Sequence, residues 1–155
     1  GCSSMTSLPL FDVSGGTSFQ ESWNGCSSLA SFPMLNVSSS DNFQGSWTNC
    51  SSLTSFPALD INQGIYFAYA WYGCSSLTSF PAGMFDTCTA TNFYLTWNGC
   101  ALDQTSVDNI LVSLDTAGQS GGLIDIDGGT SSAPGAAGLA AIASLVGKGW
   151  TVNTN

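Results

Sequence analysis

A word of about 24 residues recurs along the first two thirds of this chain, and that recurrence limits what it can fold into more than any other feature. Cys2, Cys26, Cys50 and Cys74 follow one another at intervals of 24, and Cys100 comes 26 later. Trp23, Trp47, Trp71 and Trp97 step identically, as do Phe19, Phe43, Phe67 and Phe93. The tripeptides Ser7-Leu8-Pro9, Ser31-Phe32-Pro33, Ser55-Phe56-Pro57 and Ser79-Phe80-Pro81 keep the same pace, so the two extra residues belong to the fourth copy. A unit this short has no private core and buries its Trp, Phe and Leu only against neighbouring copies.

Within the second copy, Phe32-x-x-Leu35-x-Val37 has the L-x-x-L-x-L spacing of a leucine-rich repeat. Alternation at its last two apolar positions predicts a short strand with both side chains inward. Leu8, Phe11 and Val13 repeat the spacing, as do Phe56, Leu59 and Ile61. The four-residue separation of Phe43 and Trp47 suits a helical turn or tight loop on the opposite, convex side. A second register, with the strand on Ser28-Leu29-Ala30 and its counterparts, stays open. The expected fold is α/β: a leucine-rich-repeat solenoid with a parallel concave sheet and short convex turns, closed by a C-terminal cap of two helix-strand rungs.

Residues 1–102 hold four repeats of the 24-residue type, with an insertion near 83–88, and residues 103–155 form the cap. There, Val107, Ile110, Leu111 and Leu114 fall at helical spacing between an Asp103 or Thr105 cap and Gly118. Leu123 to Asp127 reads as a strand, Pro134 opens a second helix carrying Leu139, Ile142, Leu145 and Val146, and Trp150 to Asn153 reads as a final strand. The chain starts at Gly1 in mid-unit, which predicts upstream polypeptide or other subunits at an uncapped N-terminal end.

Ten acidic residues face a single base, Lys148, for a net charge of −9. Nothing is available to neutralise a phosphate backbone, which excludes nucleic acid. No run approaches the roughly 20 apolar residues that span a bilayer, so membrane insertion is not expected. Histidine is absent, which removes Ser-His and Cys-His nucleophiles. No C-x-x-C pair supports zinc. The periodic Cys26, Cys50, Cys74 and Cys100 read as buried free thiols, whereas Cys88 breaks the period and reads as the exposed or paired one.

The words Trp23-x-Gly25-Cys26-Ser27-Ser28-Leu29 and their copies resemble the cysteine-containing leucine-rich repeats of BspA-like and mycoplasma-lipoprotein-like surface proteins, including bacteriophage-encoded members. The resemblance covers residues 1 to about 102, and the tail from Gly138-Leu139-Ala140 to Trp150-Thr151-Val152 is similar to segments that close such repeats. It implies a parallel-stranded solenoid outside the cell that attaches to surfaces, host proteins or glycans. It does not imply a particular ligand, because the repeated words are scaffold.

In the expected register, Asp12, Asn36, Asp60 and Asp86 form one outward column of the concave face, continued by Asp125. Stacked strands lie about 4.8 Å apart, so such a ladder offers acceptors to sugar hydroxyls. Calcium is the one cofactor it could hold; the plainer reading is that each Asp or Asn bonds its own turn. Met34 and Asn62 flank that column, and Leu10, Ala58 and Met84 share the Met34 position. Tyr66, Tyr69, Tyr72 and Tyr94 form a second candidate, since such rings stack on pyranose faces or pack between units. The function expected is a non-catalytic extracellular adhesion module, part of a phage tail fibre or bacterial surface protein, that recognises a cell-surface glycan or protein. The alternative is a structural spacer in a virion or surface appendage. Paired carboxylates leave a glycan-active enzyme open, and the Ser-Ser-Leu-Thr-Ser words leave ice binding open.

Overall fold

The computed structural model describes all residues from Gly1 to Asn155. The expected leucine-rich-repeat solenoid with a parallel concave sheet is not what the chain forms. Only 16 % of it is helix and 8 % strand, too little to line a concave face. Regular structure comprises strand β1 (Asn92–Phe93), helix α1 (Gln104–Thr116), strand β2 (Leu123–Asp125), helix α2 (Ala136–Gly147) and strand β3 (Thr151–Asn153). The strands form one parallel sheet in the order β1-β2-β3.

No strand lies on Phe32–Val37 or on its copies, although the alternation there is real: Leu35, Val37, Leu59 and Ile61 are buried, while Met34, Asn36, Ala58 and Asp60 are exposed. Proline explains the missing ladder. Pro33 and Pro57 have no N–H, and the N–H groups of Leu35 and Leu59 turn back onto the carbonyls of those same prolines, both at 2.9 Å. Most pairing between copies moves to the segment expected to be a convex turn; a second line follows the other register, where Thr54 and Thr78 donate to the carbonyls of Ala30 and Thr54 at 3.3 and 3.0 Å and Ser55 bridges Ser79, without forming a continuous strand. Phe19, Glu21, Trp23 and Gly25 donate to the carbonyls of Asn42, Gln44, Ser46 and Thr48 at 2.8–3.0 Å, and Phe43, Gly45, Trp47 and Asn49 donate to the next copy in the same way. The alternate N–H groups of Ser22, Asn24 and Cys26 bond backwards to Phe19, Glu21 and Trp23. Every second donor therefore joins copies while its neighbour closes a turn, which satisfies the backbone without an extended strand.

Two backbone positions per copy must turn left-handed to do this. One comprises Glu21, Gly45, Tyr69 and Leu95, with φ between 50° and 63°. The other comprises Gly25, Asn49, Gly73 and Gly99. Glycine adopts this conformation freely, whereas Glu21, Tyr69 and Leu95 hold it at a cost of about 1–2 kcal/mol each.

Aromatic rings fill the space behind these turns. Trp23, Trp47, Trp71 and Trp97 stack with centroids 5.5, 5.1 and 5.6 Å apart. Phe19, Phe43, Phe67 and Phe93 form a second column, and Trp150 continues it at 6.4 Å from Phe93. A third column, Phe32, Phe56 and Phe80, meets the indoles edge to face at 4.8–5.0 Å. Offset and edge-to-face pairs each add about 0.5–1.5 kcal/mol beyond area burial. The indole N–H groups of Trp47, Trp71 and Trp97 are buried with no oxygen or nitrogen partner, and the surrounding rings offer only π faces.

Cysteines line the same stack. The Sγ atoms of Cys50, Cys74 and Cys100 donate to the carbonyls of Trp23, Trp47 and Trp71 at 3.1–3.2 Å. All six cysteines are free, and only Cys2 is exposed. Cys88, expected to be exposed or paired, is buried, as is Met84, expected to face outwards. The reason is α1, which lies behind the inserted segment and receives the Phe85 N–H on the buried Ser113 Oγ at 2.8 Å.

A serine in the turn adds a further tie. Ser46 Oγ donates to Phe19 O at 2.7 Å, and Thr96 Oγ1 donates to Phe67 O at 3.0 Å. The third copy has Ala70 at this place, fully buried, so the Phe43 carbonyl receives no such bond. Ala70→Ser should restore it and stabilise the chain by about 0.5–1.5 kcal/mol in denaturant unfolding. A destabilised variant would mean that the copies are not equivalent there.

Helix α1 begins where its cap predicts, with the Ser106 N–H donating to Asp103 Oδ1 at 2.7 Å. It buries Val107, Ile110, Leu111 and Leu114. Helix α2 behaves differently from expectation: Leu145 is buried, but Leu139 and Val146 are 58 % and 56 % exposed. Small residues make its contact instead, since a Cβ on Gly138 would lie 2.3 Å from Asp108 Oδ1. The one ion pair, Lys148 Nζ to Asp115 Oδ1 at 2.7 Å, ties the end of α2 to α1.

Candidate functional site

The Asp/Asn column divides into three environments. Asp12 Oδ1 accepts from the N–H and Oγ of Ser14 at 2.9 and 2.6 Å, and Asn36 Oδ1 accepts from the same groups of Ser38 at 3.2 and 2.8 Å. Asp60 Oδ1 accepts from the Asn62 N–H at 3.2 Å. These are turns closed by their own side chains, and the Ser14 hydrogen bonds hold the exposed Asp12 carboxyl below the usual carboxylate range. Asn62 is exposed and accepts from Thr87 Oγ1, while Met34 stands free beside the column at 61 % exposure.

Asp86 leaves the column: the insertion carries it to α1, where Ser113 Oγ donates to its Oδ1 at 2.6 Å. It borders a groove of about 520 Å³ with Ala82, Asp108, Asn109, Val112 and Thr116. Asp125 departs further, because it lies in β2 beside the left-handed turn. It is buried, accepts from the Leu95 N–H through Oδ2 at 2.9 Å, and holds the Asn153 side chain through Oδ1. Its carboxylate is a structural tie and offers nothing to a ligand. No three carboxylates or thiols come together as a metal would require.

The tyrosines do converge. Tyr69 meets Tyr72 edge to face at 5.9 Å and Tyr94 at 5.5 Å. Burial, followed by the neighbouring Tyr94 and Tyr72, raises the Tyr69 hydroxyl above its ordinary pKa. Tyr66 stands three residues before Tyr69, 54 % exposed, on the line of parallel pairing that joins Ser18, Asn42 and Tyr66. None of the four tyrosines is buried, whereas phenylalanine and tryptophan supply the core rings.

Beside Tyr69 and Tyr72 lies a hollow of about 340 Å³, bordered also by Glu21, Asn24, Gln44, Gly45 and Thr48. Its origin is a missing side chain. Glu21, Gly45 and Tyr69 occupy one position in three successive copies, so the middle of that row is bare backbone. Thr48 Oγ1 donates to the Tyr69 carbonyl at 2.6 Å, which fixes the hydroxyl and leaves its lone pairs turned elsewhere. The repeat pattern alone does not single out Glu21, Asn24, Gln44 or Thr48. Gly45 interrupting a row of larger residues is the signal that points to them.

No helix is long and apolar enough to cross a membrane. No protein-family model, no curated protein and no solved structure matches this chain.

Proposed function

We propose that the chain is a non-catalytic binding module that acts outside the cell, attaching to a cell-surface glycan or protein as part of a phage tail fibre or bacterial surface protein. The observation that carries this reading is the tyrosine cluster beside the hollow, an amphipathic surface of rings, amides and hydroxyls raised on a closely packed scaffold. Such surfaces suit contact with sugars and with other proteins, because rings give area at small entropic cost and the polar tips remain wet. The resemblance of the Trp-x-Gly-Cys-Ser-Ser-Leu words to BspA-like surface proteins agrees with it. Catalysis has little support: histidine is absent and the buried Asp125 is committed to the backbone.

Whole-cell and glycan-array binding by the full chain, with and without calcium and with product analysis, tests the reading. Saturable attachment without turnover is the expected result, and calcium should leave it unchanged because Asp12, Asn36 and Asp60 are occupied by their own turns. Attachment to no cell and no glycan, or release of product, would overturn it.

A further inference from the structure

We infer that the hollow between Glu21 and Tyr69 receives one neutral pyranose ring, stacked against tyrosine and held through its hydroxyls by Glu21, Asn24, Gln44 and Thr48. This deepens the binding-module reading and rests on it. The shape comes first. In a row where the flanking copies carry Glu21 and Tyr69, Gly45 leaves a gap one copy wide, and a Cβ there would already lie 3.3 Å from Glu21 Cγ. The space, about 340 Å³, falls near the lower end of small-ligand sites, which suits a single sugar ring better than a long chain.

Chemistry then narrows the class. One wall is aromatic: Tyr72, half-buried, is set against Tyr69 at 70°, and Tyr94 supports Tyr69 from the far side at 88°. The opposite wall carries a carboxylate and an amide, with a second amide and the fixed Thr48 hydroxyl between them. These groups accept and donate to hydroxyls in several directions, and the ring face takes the apolar C–H side of a sugar. Charge excludes the anionic members of the class. Lys148 is the only basic side chain and is engaged by Asp115 at 2.7 Å, so a uronate or sialate would meet Glu21 with no basic side chain to offset it.

The repeat supplies its own controls. Asparagine occupies the Tyr72 position in the first and fourth copies, as Asn24 and Asn98, and glycine occupies the Tyr69 position in the second. Tyr72→Asn and Tyr69→Gly therefore introduce residues that this backbone already accepts. The 15N-labelled full chain would be titrated with methyl β-galactopyranoside, methyl β-glucopyranoside, methyl α-mannopyranoside and methyl N-acetyl-β-glucosaminide, with methyl β-glucuronide as the anionic probe.

The expected result is saturable shifts at Gly45, Thr48 and Tyr72 with at least one neutral glycoside and none with the glucuronide. Both variants should bind at least tenfold more weakly while melting within about 5 °C of the parent. Shifts confined to another face, equal binding of the glucuronide, silence towards every glycoside, or unaltered affinity in both variants would overturn the inference. If the hollow is silent while the chain still attaches to cells or arrayed glycans, this assignment fails and the broader reading stands. If the chain attaches to none of them, the broader reading fails as well.

Discussion

Trp71→Ala should lower the stability of the chain by on the order of 3–5 kcal/mol, because it empties the middle of the aromatic stack. Trp71 is wholly buried, with Trp47 at 5.1 Å on one side and Trp97 at 5.6 Å on the other. Phe56 and Phe80 each meet it edge to face at 5.0 Å. Trp47, Trp97 and Phe80 belong to neighbouring copies held by backbone hydrogen bonds, so they cannot close on a cavity without breaking the ladder. The loss therefore lies at the upper end for large-to-small changes, and Tm should fall by roughly 10 °C. Its unpartnered N–H disappears with the ring, which returns a small part of the cost. Melting monitored by near-ultraviolet circular dichroism is the measurement. A variant that melts with the parent would mean that the indoles do not form the core.

Asp125→Ala comes second, at about 2–3 kcal/mol, and the mechanism differs. No cavity of consequence forms; instead, the Leu95 N–H and the Asn153 amide lose a charged acceptor inside the protein. Leu95 is in the left-handed turn with φ +50°, and this bond helps to hold it there. Asn153 belongs to β3, the edge of the sheet, so amide exchange over 151–153 should quicken more than elsewhere. Asp125→Asn keeps one oxygen acceptor and should cost about half as much. Equal stability of Asp125→Ala and the parent in urea would show that the carboxylate faces water, as the Asp/Asn column would have placed it.

Much of the inward pattern is legible from periodicity. The columns of Trp, Phe and Cys point into the core because their repetition at fixed spacing has no other use, and helix α1 begins at its Asp103 cap because the side chain supplies the acceptor locally. Backbone pairing is harder to see. Leu35 and Val37 alternate like a strand, yet each copy carries a proline in the preceding Ser-Phe-Pro or Ser-Leu-Pro, and one missing donor per copy is enough to deny the ladder. The sheet expected on that face is consequently absent. Hydrogen bonding passes mainly to the Phe-x-x-x-Trp turns, whose first left-handed position is masked in the sequence because Glu21, Tyr69 and Leu95 fill three of its four places.

The site shows the same division. The tyrosines stand out by composition, and three of them do gather. The Asp/Asn ladder dissolves on inspection of its partners: Asp12, Asn36 and Asp60 close their own turns, the insertion draws Asp86 to α1, and Asp125 enters the core from a different element. The hollow at Gly45 depends on which residues share a row across copies. That follows only once the Phe-x-x-x-Trp segment is known to be the main line of pairing.

The side-by-side packing of successive copies is the claim on which the rest depends, and native thiol reactivity tests it most directly. Burial pushes the Cys50 and Cys100 thiols up to about 12, carries Cys74 well above the ordinary range, and raises Cys88. Only thiolates react, and only exposed ones are reached. Titration with an aromatic disulfide reagent at neutral pH should therefore detect one fast thiol, Cys2, in the native chain and all six in guanidinium. Three or more fast thiols in the native chain, or fewer than six after unfolding without reductant, would contradict the packing of the copies.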